Sequence, residues 1–476
     1  MRYETVIGLE VHTELSTKTK IFCSCTTQFG GDPNTHCCPV CTGMPGTLPV
    51  LNRSVVEYAI RAGLATNCTI TRLNKFDRKN YFYPDLPKAY QISQLYLPIC
   101  QNGRVEIEGE DGGKSIRIKE IHMEEDAGKL VHEPYEDATL ADYNRCGVPL
   151  LEIVSEPDFR SAQEVVAYLE KLKATLQYIG VSDCKMQEGS LRADVNISVR
   201  PAGQEEFGVR TEMKNMNSFK AVARAIEYES RRQVAVLEAG GRVIQETRRW
   251  DDEKGESFAM RSKENAQDYR YFPEPDLPPV EIGEDWIARV AGDLPELPDK
   301  KQKRYVQQLG LPEYDSRMIT ADKAMADFFE AAAALCQKPK EVANWIMGDL
   351  FRLLKEEGKE ASELTLAPEG LANLIGLVDK GVINRNTAKT VFEVMFKTGV
   401  DPETYVKEQG LEMVSDQGAV EAVIRRVLEE NPQSVADFRG GKEKAFGFLV
   451  GQCMKALKGK ADPKLINAQL RQALTK

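Results

Sequence analysis

The chain has 476 residues, of which 42% are hydrophobic and 29% charged, with a net charge of −10. That length exceeds a single core and points to about three domains at roughly 150 residues each. The acidic balance argues against a general nucleic-acid coat, and no uninterrupted apolar run suggests a membrane helix.

Residues 6–15 (VIGLEVHTEL) read as a strand. Side chains two apart share a face of a strand, so Glu10, His12 and Glu14 point one way while Ile7, Leu9 and Val11 point the other. Carboxylates and imidazoles in such a run need partners, because a buried unpaired charge is costly. A cation that prefers carboxylate oxygen, such as Mg²⁺, would supply one. The strand pattern begins without the basic, apolar and small-residue order of a signal peptide, so the expected location is the cytoplasm, where the eleven cysteines are reduced.

Five of those cysteines fall between Cys23 and Cys41. Cys23-Ser-Cys25 is followed, after twelve intervening residues, by Cys38-Pro-Val-Cys41-Thr-Gly43. The second pair has the form of a zinc knuckle, in which the turn aims backbone N–H groups at sulfur and Gly43 permits the tight geometry. Cys23, Cys25, Cys38 and Cys41 suit a closed, structural Zn²⁺. Cys37 competes with Cys38 but has the poorer spacing to Cys41, and His36 reads as a loop residue.

Residues 75–91 (KFDRKNYFYPDLPKAYQ) form a basic and aromatic loop stiffened by Pro84 and Pro87. Such loops fit nucleotide or nucleic-acid contact. No Walker or Rossmann glycine pattern is present, so an ATP site must be of another kind, such as a sheet cradle. Next come an alternating run at 115–121, then Glu124, Glu125 and Asp126, and at 150–154 Glu152 among aliphatics. These strands can pair with the first in one antiparallel sheet and gather an imidazole with several carboxylates.

Residues 188–200 (EGSLRADVNISVR) alternate strictly, with Ser190, Arg192, Asp194, Asn196, Ser198 and Arg200 on one face. A short, rigid, hydrogen-bonding series of this kind suits the floor of a phosphate site, with arginines taking phosphate oxygens. Residues 210–218 (RTEMKNMNS) continue in that style. The proline-dense stretch at 271–279 ends the strand-rich region, and from about residue 300 the pattern turns helical. The last stretch, from Arg439, holds nine Lys and Arg against two acids, a local footprint for a polyanion.

The segments VIGLEVHTEL, KFDRKNYFYPDLPKAYQISQ, HMEEDAGK, VPLLEIVSEPD, EGSLRADVNISVR, EMKNMNSF and YRYFPEPDL, in this order, resemble the B subunits of the tRNA-dependent aspartyl/glutamyl-tRNA amidotransferases over nearly the full length. The resemblance implies an α+β fold. An antiparallel-sheet cradle domain related to glutamine synthetase (1–293) would be followed by an all-helical domain (294–405) and a small helical, tRNA-binding tail domain (406–476). It implies a ligase that uses ATP and Mg²⁺ to phosphorylate the side-chain carboxylate of misacylated Glu-tRNA(Gln) or Asp-tRNA(Asn). Ammonia channelled from an amidase (glutaminase) subunit then displaces the phosphate, and a small third subunit completes the heterotrimer. On this chain the resemblance puts Glu10, His12, Glu125 and Glu152 around Mg²⁺ with Glu124 in support, the choice between Glu124 and Glu125 being left open. It makes Lys79 and Lys88 channel or gate residues near Glu125, and Ser190, Arg192, Asp194, Asn196 and Arg200 the nucleotide floor. It carries over the four-cysteine Zn²⁺ site and leaves Glu14 out. The alternatives are a free-standing carboxylate–amine ligase, which deletion of residues 438–476 would spare, and a non-enzymatic zinc-stapled RNA-binding protein, which Glu125→Ala would leave intact.

Overall fold

The computed structural model describes residues 2–109, 112–132, 138–262, 269–413, 417–457 and 463–475. The chain forms two compact units, 1–298 and 299–476.

The first unit contains the strands. In chain order they begin with β1 (Tyr3–Glu14), β2 (Thr69–Ile70), β3 (Leu73–Asn74), β4 (Asp77–Asn80), β5 (Tyr90–Ser93), β6 (Cys100–Gly109), β7 (Gly112–Glu125) and β8 (Lys129–His132). They continue with β9 (Thr139–Asp142), β10 (Pro149–Ser155), β11 (Leu191–Pro201), β12 (Thr211–Lys214), β13 (Glu246–Asp251), β14 (Glu256–Ser262), β15 (Phe272–Pro273) and β16 (Val280–Glu281). Nine of them build one sheet in the order β14-β13-β12-β11-β1-β10-β7-β6-β2.

The expected pairing of the three acidic strands is present: β1 is antiparallel to β10, and β10 to β7. The sheet departs from the expected antiparallel pattern at one ladder, since β12 and β13 run parallel. A helix of twenty residues, Phe219–Glu238, connects them. A parallel neighbour requires such a crossover, whereas an antiparallel one needs only a turn.

Burial alternates along β1, with Leu9 and Val11 buried and Glu10 and His12 half-buried. The apolar side carries three helices: α1 (Arg53–Ala65), α2 (Ala162–Tyr178) and α3 (Phe219–Glu238). Each starts on a side-chain cap that satisfies an otherwise free backbone donor. Asn52 accepts from Ser54 N, Ser161 from Glu164 N and Ser218 from Ala221 N. Ile7, Leu9, Val11, Ile121, Met123, Leu151, Ile153, Val195 and Ile197 form the core with these helices. The opposite face of the sheet carries the polar side chains.

Helix α1 approaches β6 through Gly63, where a Cβ would sit 2.4 Å from Cys100 Sγ and 2.8 Å from Ile70 Cδ1. Gly63→Ala is therefore expected to destabilise the first unit by about 1–3 kcal/mol through overpacking, read as a lower urea midpoint at unchanged slope. An unchanged midpoint would mean that α1 shifts away freely.

The second unit is helical among the described residues and holds two hydrophobic clusters. One gathers Tyr305, Phe329, Trp345, Leu371 and Phe392. The other, within the C-terminal stretch, gathers Val420, Ile424, Leu449, Ile466 and Leu470. Of the basic residues counted in the tail, Lys458, Lys460 and Lys476 lie outside the described residues. No helix of the described residues is long and apolar enough to cross a membrane.

Candidate active site

Register alone fixes which polar groups meet. His12 lies opposite Glu152 on one side and Arg192 on the other, and Glu152 lies opposite His122. Glu10 lies opposite Asp194, and Asn196 opposite Glu212. Because these residues occupy alternate positions on adjacent strands, all of them project from the face away from the helices.

Two donor sets result. In the first, His12, Glu124 and Glu152 bring one ligand atom each within 4.8 Å of one another. His12 Nε2 is 3.4 Å from Glu152 Oε2 and 3.7 Å from Glu124 Oε1. His122 stands behind them, its Nε2 2.8 Å from Glu152 Oε2 and 3.7 Å from Glu124 Oε2. Its Nδ1 is buried without a hydrogen-bond partner. In the second set Glu10, Asp194 and Glu212 converge within the same limit. Asn196 Nδ2 donates to Glu10 at 3.0 Å, Lys214 pairs with Asp194 and lies 3.1 Å from Glu212, and Thr247 Oγ1 donates to Glu212 at 2.7 Å.

The electrostatics follow from burial and crowding. Burial opposes charge on His122, but the Glu152 and Glu124 carboxylates outweigh it and push the imidazole up to about 10. His12 moves up on the same balance. Glu152 is disfavoured as an anion by burial, yet the two imidazoles hold it well below the usual carboxylate range. Glu10 goes the other way: burial and the neighbouring Glu152 and Glu212 raise it. The two imidazoles thus offset the carboxylates of the first set, and Lys214 screens the second. Mixed imidazole and carboxylate donors of this kind suit Mg²⁺ or Mn²⁺.

The expected cage of Glu10, His12, Glu125 and Glu152 is thereby divided. Glu10 belongs to the second set. Glu125 follows Glu124 on β7 and so points to the opposite face of the sheet, where it accepts Ile92 N–H at 2.9 Å and pairs with Lys88. The Lys79 ammonium lies over Tyr81 and Tyr269, 5.8 and 5.0 Å from the ring centroids. The basic and aromatic loop is in fact a hairpin, β4 against β5, with β15 on its other edge. Arg78 clamps it to Glu274 at 2.7 and 2.9 Å. This holds Tyr81, Tyr269 and Tyr271 edge to face. Burial and the nearby Glu152 and Glu124 carboxylates raise the Tyr271 phenol, which places this aromatic wall beside the first donor set.

The floor also contracts. Arg192, Asp194 and Asn196 face the two sets, but the ends of the run do not. Ser190 Oγ accepts Lys185 N–H at 2.8 Å in a turn, and Arg200 pairs with Glu4 at 2.8 and 2.7 Å. Ten residues of strand separate those ends by about 33 Å, too far for one small ligand to span. Arg192 Nη2 instead meets Asp126 at 2.7 Å, and Glu14 lies near that pair, its carboxyl raised to about 8 first by burial and then by Asp126.

Asp126, from the acidic run at 122–126, and Glu212 and Lys214, from the polar run at 210–218, join the site, and so do His122 and Thr247, which the sequence pattern does not mark. The signal that points to His122 is its spacing of two from Glu124, and for Lys214 its spacing of two from Glu212. The four sulfurs of Cys23, Cys25, Cys38 and Cys41 lie within 4.8 Å of one another. Cys37 is turned away, with its Sγ 3.3 Å from Asn34 O.

A family model for the GatB/GatE catalytic domain matches residues 5–288, and one for the GatB domain matches residues 327–474. The class defined by fold and site is therefore the catalytic subunit type to which those domains belong. The chain is 68% identical to the B subunit of the aspartyl/glutamyl-tRNA(Asn/Gln) amidotransferase of Lachnoclostridium phytofermentans, covering 100% of this chain and 99% of that one. It is 62% identical to the protein of the same name from Agathobacter rectalis (99% of each chain) and 60% identical to that from Caldicellulosiruptor bescii (100% of each). The chain belongs to the family of aspartyl/glutamyl-tRNA(Asn/Gln) amidotransferase B subunits.

Proposed function

We propose that this chain is the acyl-activating subunit of a glutamine-dependent, ATP-consuming amidotransferase acting on Glu-tRNA(Gln), Asp-tRNA(Asn) or both. The full-length family match supports the reaction class. The single structural observation that carries the site is the adjacency of two divalent-ion donor sets on one polar sheet face.

A carboxylate resists attack by ammonia because it is a delocalised anion with no leaving group. Transfer of the ATP γ-phosphoryl to a carboxylate oxygen releases ADP and gives an acyl phosphate. Attack of ammonia then forms the C–N bond and expels phosphate, the extra proton leaving with base. Bound Mg²⁺ at the two sets would neutralise crowded phosphate oxygens and the developing charge of the transfer. His12, Glu124 and Glu152 would hold one ion and Glu10, Asp194 and Glu212 the other, which makes Glu124, not Glu125, the ligand. His122 orients Glu152 from behind. Lys214 and Arg192 place cations next to the sets, where phosphate oxygens would lie. Lys88 and Glu125, on the other side of the sheet, are assigned to the delivery of ammonia from an amidase partner, with a small third subunit in the complex. The tyrosine wall excludes water from the first set. Four thiolates within reach of one another suit a structural Zn²⁺. Kinship of the sheet with glutamine synthetase is part of the same proposal.

The test uses the complex assembled with the amidase and the small third subunit. Formation of ADP is expected to depend on misacylated tRNA, and added ammonia is expected to support amidation. Failure to form any amidated tRNA would sink the reading. Lys442→Glu combined with Lys444→Glu, both exposed in the tail, is expected to raise the KM for tRNA about tenfold with a shallower salt dependence. A free-standing ligase for a small acid would be unaffected.

A further inference from the structure

Lys20 is completely buried, an unusual place for an ammonium. Its backbone N–H donates to Cys25 O at 2.9 Å, and its Nζ lies 3.6 Å from Cys41 Sγ. A neutral thiol would not offset the desolvation of that charge, whereas a thiolate would. Four thiolates around a divalent ion leave the centre dianionic, so a buried cation against one sulfur is the charge such a centre calls for.

The same knuckle is packed onto Lys88. Gly43, just past Cys41, has φ +68°, and a Cβ there would lie 2.4 Å from Lys88 Cγ and 3.1 Å from Lys88 Cα. On the far side Gly147, with φ +79°, would place a Cβ 3.4 Å from Cys41 Cβ, 3.6 Å from Lys20 Cδ and 4.0 Å from Glu125 Oε2. Gly147 O also accepts Ile21 N–H at 3.0 Å. Knuckle, Lys20, Gly147, Glu125 and Lys88 thus form one contiguous body. The Lys88 and Glu125 side chains within it are 10% and 3% exposed.

We propose that Lys20 is the charge partner of a metal-bound four-thiolate centre, and that the knuckle so completed is the positioning element that keeps Lys88 on Glu125. The proposal rests on the four-cysteine centre holding a metal ion, and it is independent of the reaction assigned to the opposite face. Loss of the metal relaxes the Cys38–Cys41 turn, withdraws Gly43 from Lys88 and exposes the Lys88 ammonium.

The full chain loaded with Co²⁺ in place of Zn²⁺ tests the first half. Lys20→Met is expected to move the sulfur-to-cobalt charge-transfer band to longer wavelength and to speed metal loss to a chelator about tenfold. Lys20→Arg, which keeps the charge, is expected to restore most of both. No thiolate-type cobalt spectrum in the unaltered chain would refute the metal centre itself. A normal spectrum that Lys20→Met leaves unchanged in band and loss rate would overturn the role of Lys20 alone. The second half needs no variant. Acylation of Lys88 by an amine-reactive ester, read by mass spectrometry, is expected to rise severalfold when a chelator strips the unaltered chain. Equal labelling with and without metal would overturn the coupling.

Discussion

Glu152→Gln is expected to reduce tRNA-dependent ATP turnover by roughly three orders of magnitude or more while leaving the far-UV circular dichroism intact. The reason lies in its position between two imidazoles: Glu152 Oε2 is 3.4 Å from His12 Nε2 and 2.8 Å from His122 Nε2. The amide keeps the shape and removes the charge, so the first donor set loses its central anion. Binding of Mn²⁺, followed by electron paramagnetic resonance, should weaken in parallel. In the metal-free chain, His122 should also titrate well below its native value of about 10, since burial is then less opposed. The sign is definite. An imidazole raised from 6.5 contributes stability that is fully present below that pH and is lost as pH rises through about 10. A divalent ion has to displace the proton from His12, whose neighbouring carboxylates hold it up, so ion binding should tighten as pH rises. Full turnover in Glu152→Gln would remove this residue from the site.

Cys41→Ser is expected to lower the zinc content of the purified chain from stoichiometric to well below it, and to lower the melting midpoint of the first unit by about 5–10 °C. Cys41 is the buried member of the four. Its thiol is drawn down to about 4 by Cys23 first, against burial, and then by the Cys38 backbone and Lys20. It is therefore the sulfur most committed to the anionic form that binds metal. Cys37→Ser, by contrast, should keep the zinc, because its sulfur faces Asn34 O. Identical metal content in Cys41→Ser and the unaltered chain would reject a zinc centre.

Much of the site is legible in the sequence because strands have a period of two. VIGLEVHTEL, LLEIV and RADVN each declare which residues share a face, and His12, Glu152, Arg192 and Asp194 do share one. The same rule, applied one step further, separates Glu124 from Glu125, since adjacent strand residues point to opposite faces. The uniform acidity of the run HMEED masks that division. The cysteine knuckle is legible as well, because its four sulfurs are local in sequence.

Composition and periodicity by themselves determined the strand-rich first part, the helical second part, the polar sheet face and the thiolate cluster. These depend on neighbours in the chain or on a fixed backbone repeat. Only the tertiary structure decided that Glu10 joins Asp194 and Glu212, that Lys88 pairs with Glu125, that Ser190 and Arg200 serve the ends of β11, and that Lys20 faces Cys41. Each of these depends on strand order, on register or on the packing of segments far apart in the chain, and a one-residue shift in register would reassign every partner.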